Sequence, residues 1–238
     1  MVSLSKRILT LFVLAALLPF LTGATIIIRG PRVASSVFAP SDIGTLIAWY
    51  DADDITGSDD DSITAWLDKT VNNHDMTSGY GTRVVKTGIV SGHRVARFNG
   101  SAGLAFGSFG TSTASVFVVG AWKGSLPVTG YPGPAGSLDA GESPVGNYLY
   151  INNGTSDLTA GGTVEFYPAN PQTVDGFFSA YYETGSGTTI DALRIGGNGN
   201  AAWNGDVAVV LVFSATLSSG DKASLFQWAE NTYGVAYP

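Results

Sequence analysis

The chain has 238 residues, 45% of them apolar, with 31 glycines, 10 prolines and no cysteine. Without cysteine there is no disulfide framework, thiolate metal site or acylated-cysteine anchor, so stability has to come from a packed core, which a body of about 200 residues is large enough to bury. The formal charge is −7, and residues 1–38 carry four basic and no acidic side chains while all 19 acidic ones lie beyond them, so the acidic body excludes a nucleic-acid-binding surface.

Ile8 to Ile28 is 21 residues without a charge, set between Lys6-Arg7 and Arg29. Three readings fit this segment. A secretory signal fits the basic start, the apolar centre and the small residues Thr22-Gly23-Ala24. A membrane anchor fits the length, since about 20 apolar residues span a bilayer, and Pro19 only kinks such a helix. An apolar arm buried by neighbouring subunits of an assembly fits equally. The expected division is an apolar, basic arm over residues 1–38 and one domain over residues 39–238.

Past Ala39 the pattern is short β-runs with turn punctuation. Strands are predicted at Leu46–Asp51, Arg83–Lys86, Arg94–Asn99, Ser115–Trp122, Tyr148–Asn152, Thr163–Tyr167, Phe177–Glu183, Thr189–Ile195 and Asp206–Phe213. Val207 to Phe213 is apolar on both faces, which marks a central strand. The longest irregular stretch, Gly124 to Asn147, holds six glycines and four prolines. A loop of that length is either a recognition loop or one ordered by its neighbours. A closing helix follows the last strand. Ser218 and Asp221 form a capping box, Leu225, Trp228 and Ala229 make one apolar stripe, and Gly234 supplies a left-handed stop. The predicted fold is an all-β, two-sheet jelly-roll sandwich with a short C-terminal α-helix.

Chemistry-bearing residues are sparse. Asp51, Asp53 and Asp59 lie in an acidic run that extends to Asp61, and calcium wants six to eight oxygens, so these three are the candidate metal ligands. Their spacing does not match an EF-hand loop, and a solvated acidic turn is the competing reading. Tyr80, Tyr131 and Trp203 fall in predicted loops and are the candidate platforms for stacking on a sugar; the competing reading is that they close the ends of the sandwich. His74 and His93 sit in polar turns without ligand spacing. Glycosidases need a carboxylate pair at fixed separation. Glu165, the one glutamate flanked by strand-like apolar residues, has no partner in the sequence. No cofactor beyond calcium and no catalytic activity are expected.

Several runs, taken in order, resemble the LamG-like, concanavalin-type jelly-roll module of phage virion and bacterial surface proteins. They are Trp49-Tyr50-Asp51-Ala52-Asp53 on the first strand, Trp66-Leu67-Asp68-Lys69, Arg97-Phe98-Asn99-Gly100-Ser101, the strand from Ser115 to Trp122, Ile195-Gly196-Gly197, and the strand-to-helix handover that ends the chain. The resemblance covers roughly residues 42–236. Val209 and Ala215-Thr216 stand where the family often carries an acidic and a basic residue, so the resemblance implies the fold rather than a shared polar site. It also implies a non-catalytic structural, decoration or attachment protein on a virion surface. In that reading the N-terminal arm is fixed in the particle among other virion or surface proteins, and the assembly contains several copies of the chain. The alternative it implies is a secreted or membrane-anchored bacterial surface module that binds carbohydrate.

Overall fold

A computed structural model describes residues 37–106, 109, 115–124, 135–137, 148–151, 158–159, 163–168, 176–183, 193–196 and 203–238. The N-terminal segment Ile8 to Ile28, Tyr131 and most of the stretch from Gly124 to Asn147 lie outside the described residues. No helix among the described residues is long and apolar enough to cross a membrane.

Thirteen strands among the described residues form two antiparallel sheets. The strands are β1 (Leu46–Asp51), β2 (Ser78–Tyr80), β3 (Arg83–Val90), β4 (His93–Asn99), β5 (Gly103–Phe106), β6 (Ser115–Trp122), β7 (Ala135–Ser137), β8 (Tyr148–Ile151), β9 (Leu158–Thr159), β10 (Val164–Tyr167), β11 (Phe177–Glu183), β12 (Leu193–Ile195) and β13 (Asn204–Phe213). One sheet runs β10-β11-β6-β13-β4-β3, with β1 also paired to β13, and the other runs β2-β5-β12-β7-β8-β9. The irregular stretch expected from Gly124 to Asn147 contains β7, which pairs with β12 and β8. An α-helix, α1 (Ser219–Tyr233), closes the chain.

The seven-stranded sheet is buried on both faces, which is why its central strands read as continuous apolar runs. Val116, Val118, Val210 and Val212 face the other sheet and share a core with Leu104 and Ile195. Phe117, Val119, Leu211 and Phe213 face outward and share a second core with Leu225, Phe226, Ala229 and Tyr233 of α1. On β13, Ala208 and Val209 both belong to this outer core, although alternate strand residues should point to opposite faces. The register with β6 shifts between Val207 and Val209. That shift is a β-bulge, and it puts two successive residues on one side.

One edge of β13 is shared by two strands. Asn204 to Val207 pair with Asn99 to Ala96 of β4, and Val209 to Phe213 pair with Asp51 to Leu46 of β1. Opposite Arg97 sits Asp206, whose side chain is fully buried. Arg97 donates to it through Nε at 2.7 Å and Nη2 at 2.9 Å. Such a fork-to-carboxylate pair satisfies a buried charge that would otherwise be very unfavourable.

The helix is capped as its sequence indicates. Ser218 Oγ accepts from the Asp221 backbone N–H at 3.1 Å and donates to the Asp221 carboxylate at 2.7 Å. Gly234 ends the helix at φ 69°. The stripe differs from the expected one. Leu225, Phe226, Ala229 and Tyr233 are buried, while Trp228 is only half-buried and meets Trp49 edge-on at 6.1 Å. Phe226 takes the central place, against Phe117 at 5.3 Å and Tyr167 at 4.7 Å. Lys222 ties the helix to β10 through an ion pair with Glu165. Phe38, on the arm side of the expected boundary, packs against the outer core, so the described body starts one residue earlier.

Phe226→Ala is expected to cost about 3–5 kcal/mol of stability in denaturant unfolding, because it empties a buried ring site. Trp228→Ala should cost less, since part of that ring is already in water. A loss below about 1 kcal/mol for Phe226→Ala would show that α1 does not cover the sheet.

Candidate functional site

The residues between β1 and β3 carry most of the chain's unusual polar chemistry, and their placement starts at Trp66. Its ring is fully buried, and its Nε1 donates to the Asp51 carbonyl at 2.9 Å. Trp66 and Met76 exchange backbone hydrogen bonds, each at 2.9 Å. The chain from Trp66 to Met76 is therefore a closed loop hung from the end of β1.

Asp68 fixes the inside of that loop. Its side chain is wholly buried. It accepts from the backbone N–H groups of Trp49 at 2.9 Å, Thr70 at 2.9 Å and His74 at 3.0 Å, and from the Thr70 hydroxyl at 2.8 Å. Asp75 in turn accepts from the Asp68 N–H at 2.8 Å. A carboxylate surrounded by donors in this way replaces the water it has lost. Tyr50 adds a further tie, donating to the His74 carbonyl at 2.6 Å. Burial, together with the nearby Asp68 and Asp75, pushes the Tyr50 hydroxyl far above its ordinary range.

The next residue, Lys69, points back over β1. Its Nζ lies 3.1 Å from Asp51, 2.9 Å from Asp54 and 4.7 Å from the centre of the Trp49 ring. Burial pulls the ammonium down, but the carboxylates of Asp54 and Asp51 outweigh it and hold Lys69 above its ordinary range. Burial also pushes Asp51 up, and the single ammonium beside it does not fully offset that push. The two directions are compatible. Lys69 has two carboxylates and is 38% exposed, whereas Asp51 has one ammonium and is 11% exposed.

Two depressions flank this hub. A cavity of about 350 Å³ is lined by Asp54, Thr56, Asp61, Ser62, Thr64 and Leu67, among others. A larger groove of about 540 Å³ runs along the start of β1, lined by Ile43, Leu46, Trp49, Lys69, Val71 and Asn72, among others. Trp49 Nε1 is buried and has no acceptor among the described residues. Val71 is 93% exposed. A concave surface that mixes apolar side chains with a few polar groups is the usual form of a small-molecule site.

The acidic run does not gather into a metal site. Asp51 goes to Lys69. Asp53 goes to His93, with Oδ2 2.5 Å from Nδ1, and accepts from the Arg94 N–H at 2.8 Å. Asp59 goes to Lys86 at 2.7 Å and to the Thr87 N–H at 2.8 Å. The three carboxylates of the calcium reading, Asp51, Asp53 and Asp59, each answer a different side chain, and no group of three or more metal-ligating side chains occurs among the described residues. Burial pushes Asp53 up, yet the Arg94 N–H and His93 outweigh it and hold the carboxyl below its ordinary range.

The sugar-stacking candidates also separate. Trp203 is fully buried, edge-on to Trp122 at 5.1 Å and Phe178 at 6.1 Å, so it has no face for a ligand and is a core residue. Tyr80 lies on edge strand β2 and is 36% exposed. Tyr131 lies outside the described residues. His74 holds the loop, with Nδ1 2.9 Å from the Ile47 carbonyl. The groove at Trp49 went unread in the sequence. Its signal was Val71, a bare apolar residue in the polar turn Thr70-Val71-Asn72-Asn73.

No family model matches the chain, and no curated protein matches it. Solved structures do. One is a Trypanosoma rangeli sialidase in complex with sialic acid, with a TM-score of 0.52 and 12% identity, covering 84% of this chain and 34% of that one. Another is domain 4 of a GH43 extracellular arabinanase from Geobacillus stearothermophilus in complex with arabinotriose, with a TM-score of 0.47 and 15% identity, covering 74% of this chain and 96% of that one. This chain thus spans about a third of the sialidase chain. At these identities the likeness is one of fold. It overturns the expectation that the chain is not an enzyme. That expectation rested on a missing glutamate motif, and the sandwich found here also occurs within a sialidase chain only 12% identical to this one.

The Asp51 carboxyl has a folded pKa above its unfolded value, near 4. The native state therefore keeps this proton longer than the unfolded chain does, and stability falls as pH rises between the two values. Asp51→Asn is expected to flatten that fall in unfolding curves taken across the window. An unchanged slope in the variant would assign the proton to another group.

Proposed function

We propose that the body is a LamG-like attachment module that binds carbohydrate, displayed at a virion surface, with residues 1–37 fixing it in the particle. The observation that carries the reading is the open groove beside Trp49. It combines an indole, an amide, hydroxyls and exposed aliphatic groups on a sandwich of a kind also present in a sialidase chain. Sugars have both hydroxyl groups and apolar C–H faces, and a groove of mixed lining matches both. The order of the tryptophan, aspartate and glycine runs supports the LamG-like assignment. The body's acidic charge supports contact with other proteins and glycans rather than with nucleic acid.

A second reading is a secreted or envelope-anchored bacterial surface module of the same ligand class. The uncharged run from Ile8 to Ile28 favours it, since that run has the length of a bilayer span. The two readings share the groove and differ only in what holds the N-terminal segment.

Two measurements test the proposal. The purified full chain on a glycan array should bind a defined subset of oligosaccharides, and an array with no binding above background would remove the carbohydrate reading. Deleting residues 1–37 should leave a folded body that no longer joins its particle or envelope. Normal incorporation of the shortened chain would show that the segment is not what fixes it.

A further inference from the structure

We infer that the groove beside Trp49 takes neutral glycans and discriminates against acidic sugars. The inference rests on the carbohydrate reading above and gives that reading a site and a ligand class. The groove's volume, about 540 Å³, lies within the range of small-molecule sites, roughly 300–1,000 Å³. Ile43, Leu46 and Val71 supply apolar wall, of the kind that lies against the C–H face of a pyranose.

Two polar groups of the lining residues are available to a ligand. Trp49 Nε1 is a buried donor with no acceptor. Asn72 gives its side-chain N–H to the Ile47 carbonyl at 2.9 Å and is exposed, so its side-chain oxygen stays open to solvent or to a ligand. A buried donor left unmade carries a free-energy penalty, and a ligand oxygen that reaches the indole edge removes it. A sugar hydroxyl both donates and accepts, so one ligand class answers both groups.

Charge decides which sugars. Lys69 is the one cation lining the groove among the described residues. It is already held by Asp51 at 3.1 Å and Asp54 at 2.9 Å. The formal charge of these three side chains is −1. Asp51 and Asp54 lie behind Lys69, outside the lining, so a sugar carboxylate entering here finds no free cation and has to compete with two fixed carboxylates for one ammonium. An acidic ligand therefore loses its hydration without gaining a partner charge, while a neutral ligand is unaffected. The fold's likeness to a sialidase chain therefore does not carry over to an acidic ligand at this groove.

The test uses the purified full chain in titration calorimetry. The neutral probes are lactose and hexaoses of glucose, mannose and N-acetylglucosamine. The acidic probes are sialyllactose and a glucuronic-acid hexaose. Neutral probes should bind, with sialyllactose at least about tenfold weaker than lactose. Asn72→Ala and Trp49→Phe should each weaken neutral binding by up to about tenfold, at unchanged circular dichroism. Val71→Lys adds an unpaired cation at a residue 93% exposed, where the fold does not depend on the side chain. It should raise sialyllactose binding about tenfold relative to lactose. Sialyllactose binding as tightly as lactose would overturn the charge argument and leave the carbohydrate reading standing. Neutral binding unchanged in both Asn72→Ala and Trp49→Phe would move the site elsewhere and also leave that reading standing. No binding of any probe would overturn both.

Discussion

The shared edge of β13 is the constraint on which the rest of the molecule depends. One strand with both faces apolar has to be covered twice and paired along its whole length. On one side β6 runs beside it from end to end. On the other side neither β1 nor β4 is placed to do so, and the two divide the edge between them at Val207 and Val209. The bulge at that point turns Ala208 and Val209 together toward the helix side. Asp51, paired with Val209, is the last residue of β1 at the junction. The chain must leave the sheet there, and it leaves into the loop that carries Asp53, Asp54, Trp66, Asp68 and Lys69.

The groove is a consequence of that exit. Asp68 gathers the N–H groups of Trp49, Thr70 and His74 on one carboxylate, which holds residues 66–76 against β1. Lys69 is thereby aimed across the Trp49 ring onto Asp51 and Asp54. With Lys69 and Asp68 turned inward, Leu67 and Val71 are left outward, at 51% and 93% exposure. The polar interior of the loop and its apolar rim are two sides of one alternation. The proposed ligand surface therefore rests on buried polar contacts rather than on a flexible loop, which lowers the ordering cost of binding.

Much of the fold was legible because it is periodic. The bounds of β1, β6 and β11 follow from apolar runs that end at Asp51, Trp122 and Glu183, and the bounds of α1 follow from Ser218 and Gly234. The short strands Ser78–Tyr80, Gly103–Phe106 and Ala135–Ser137 were not legible. Three or four residues containing glycine show no period, and such strands exist only because a neighbour's edge is open to them. The site was less legible still. Asp51, Asp53 and Asp59 look alike in sequence, and what separates them is Lys69, His93 and Lys86, brought in from 18, 40 and 27 residues away. Trp203 sits among asparagine and glycine, which reads as a loop, yet packing against Trp122 and Phe178 makes it core. A missing glutamate motif likewise does not establish a missing activity. Sequence motifs diverge long before a sandwich does.

The indole N–H signals of the five tryptophans test the account most directly. Trp66 and Trp203 donate to backbone carbonyls inside the body, at 2.9 Å and 3.4 Å, while Trp49 donates to nothing among the described residues. In a nitrogen–proton correlation spectrum of the full chain, titration with a neutral oligosaccharide that binds should shift the Trp49 indole signal. The Trp66 and Trp203 signals should stay in place. A bound oligosaccharide that leaves Trp49 unmoved, or that shifts Trp203 instead, would contradict the assignment of the groove as the carbohydrate site.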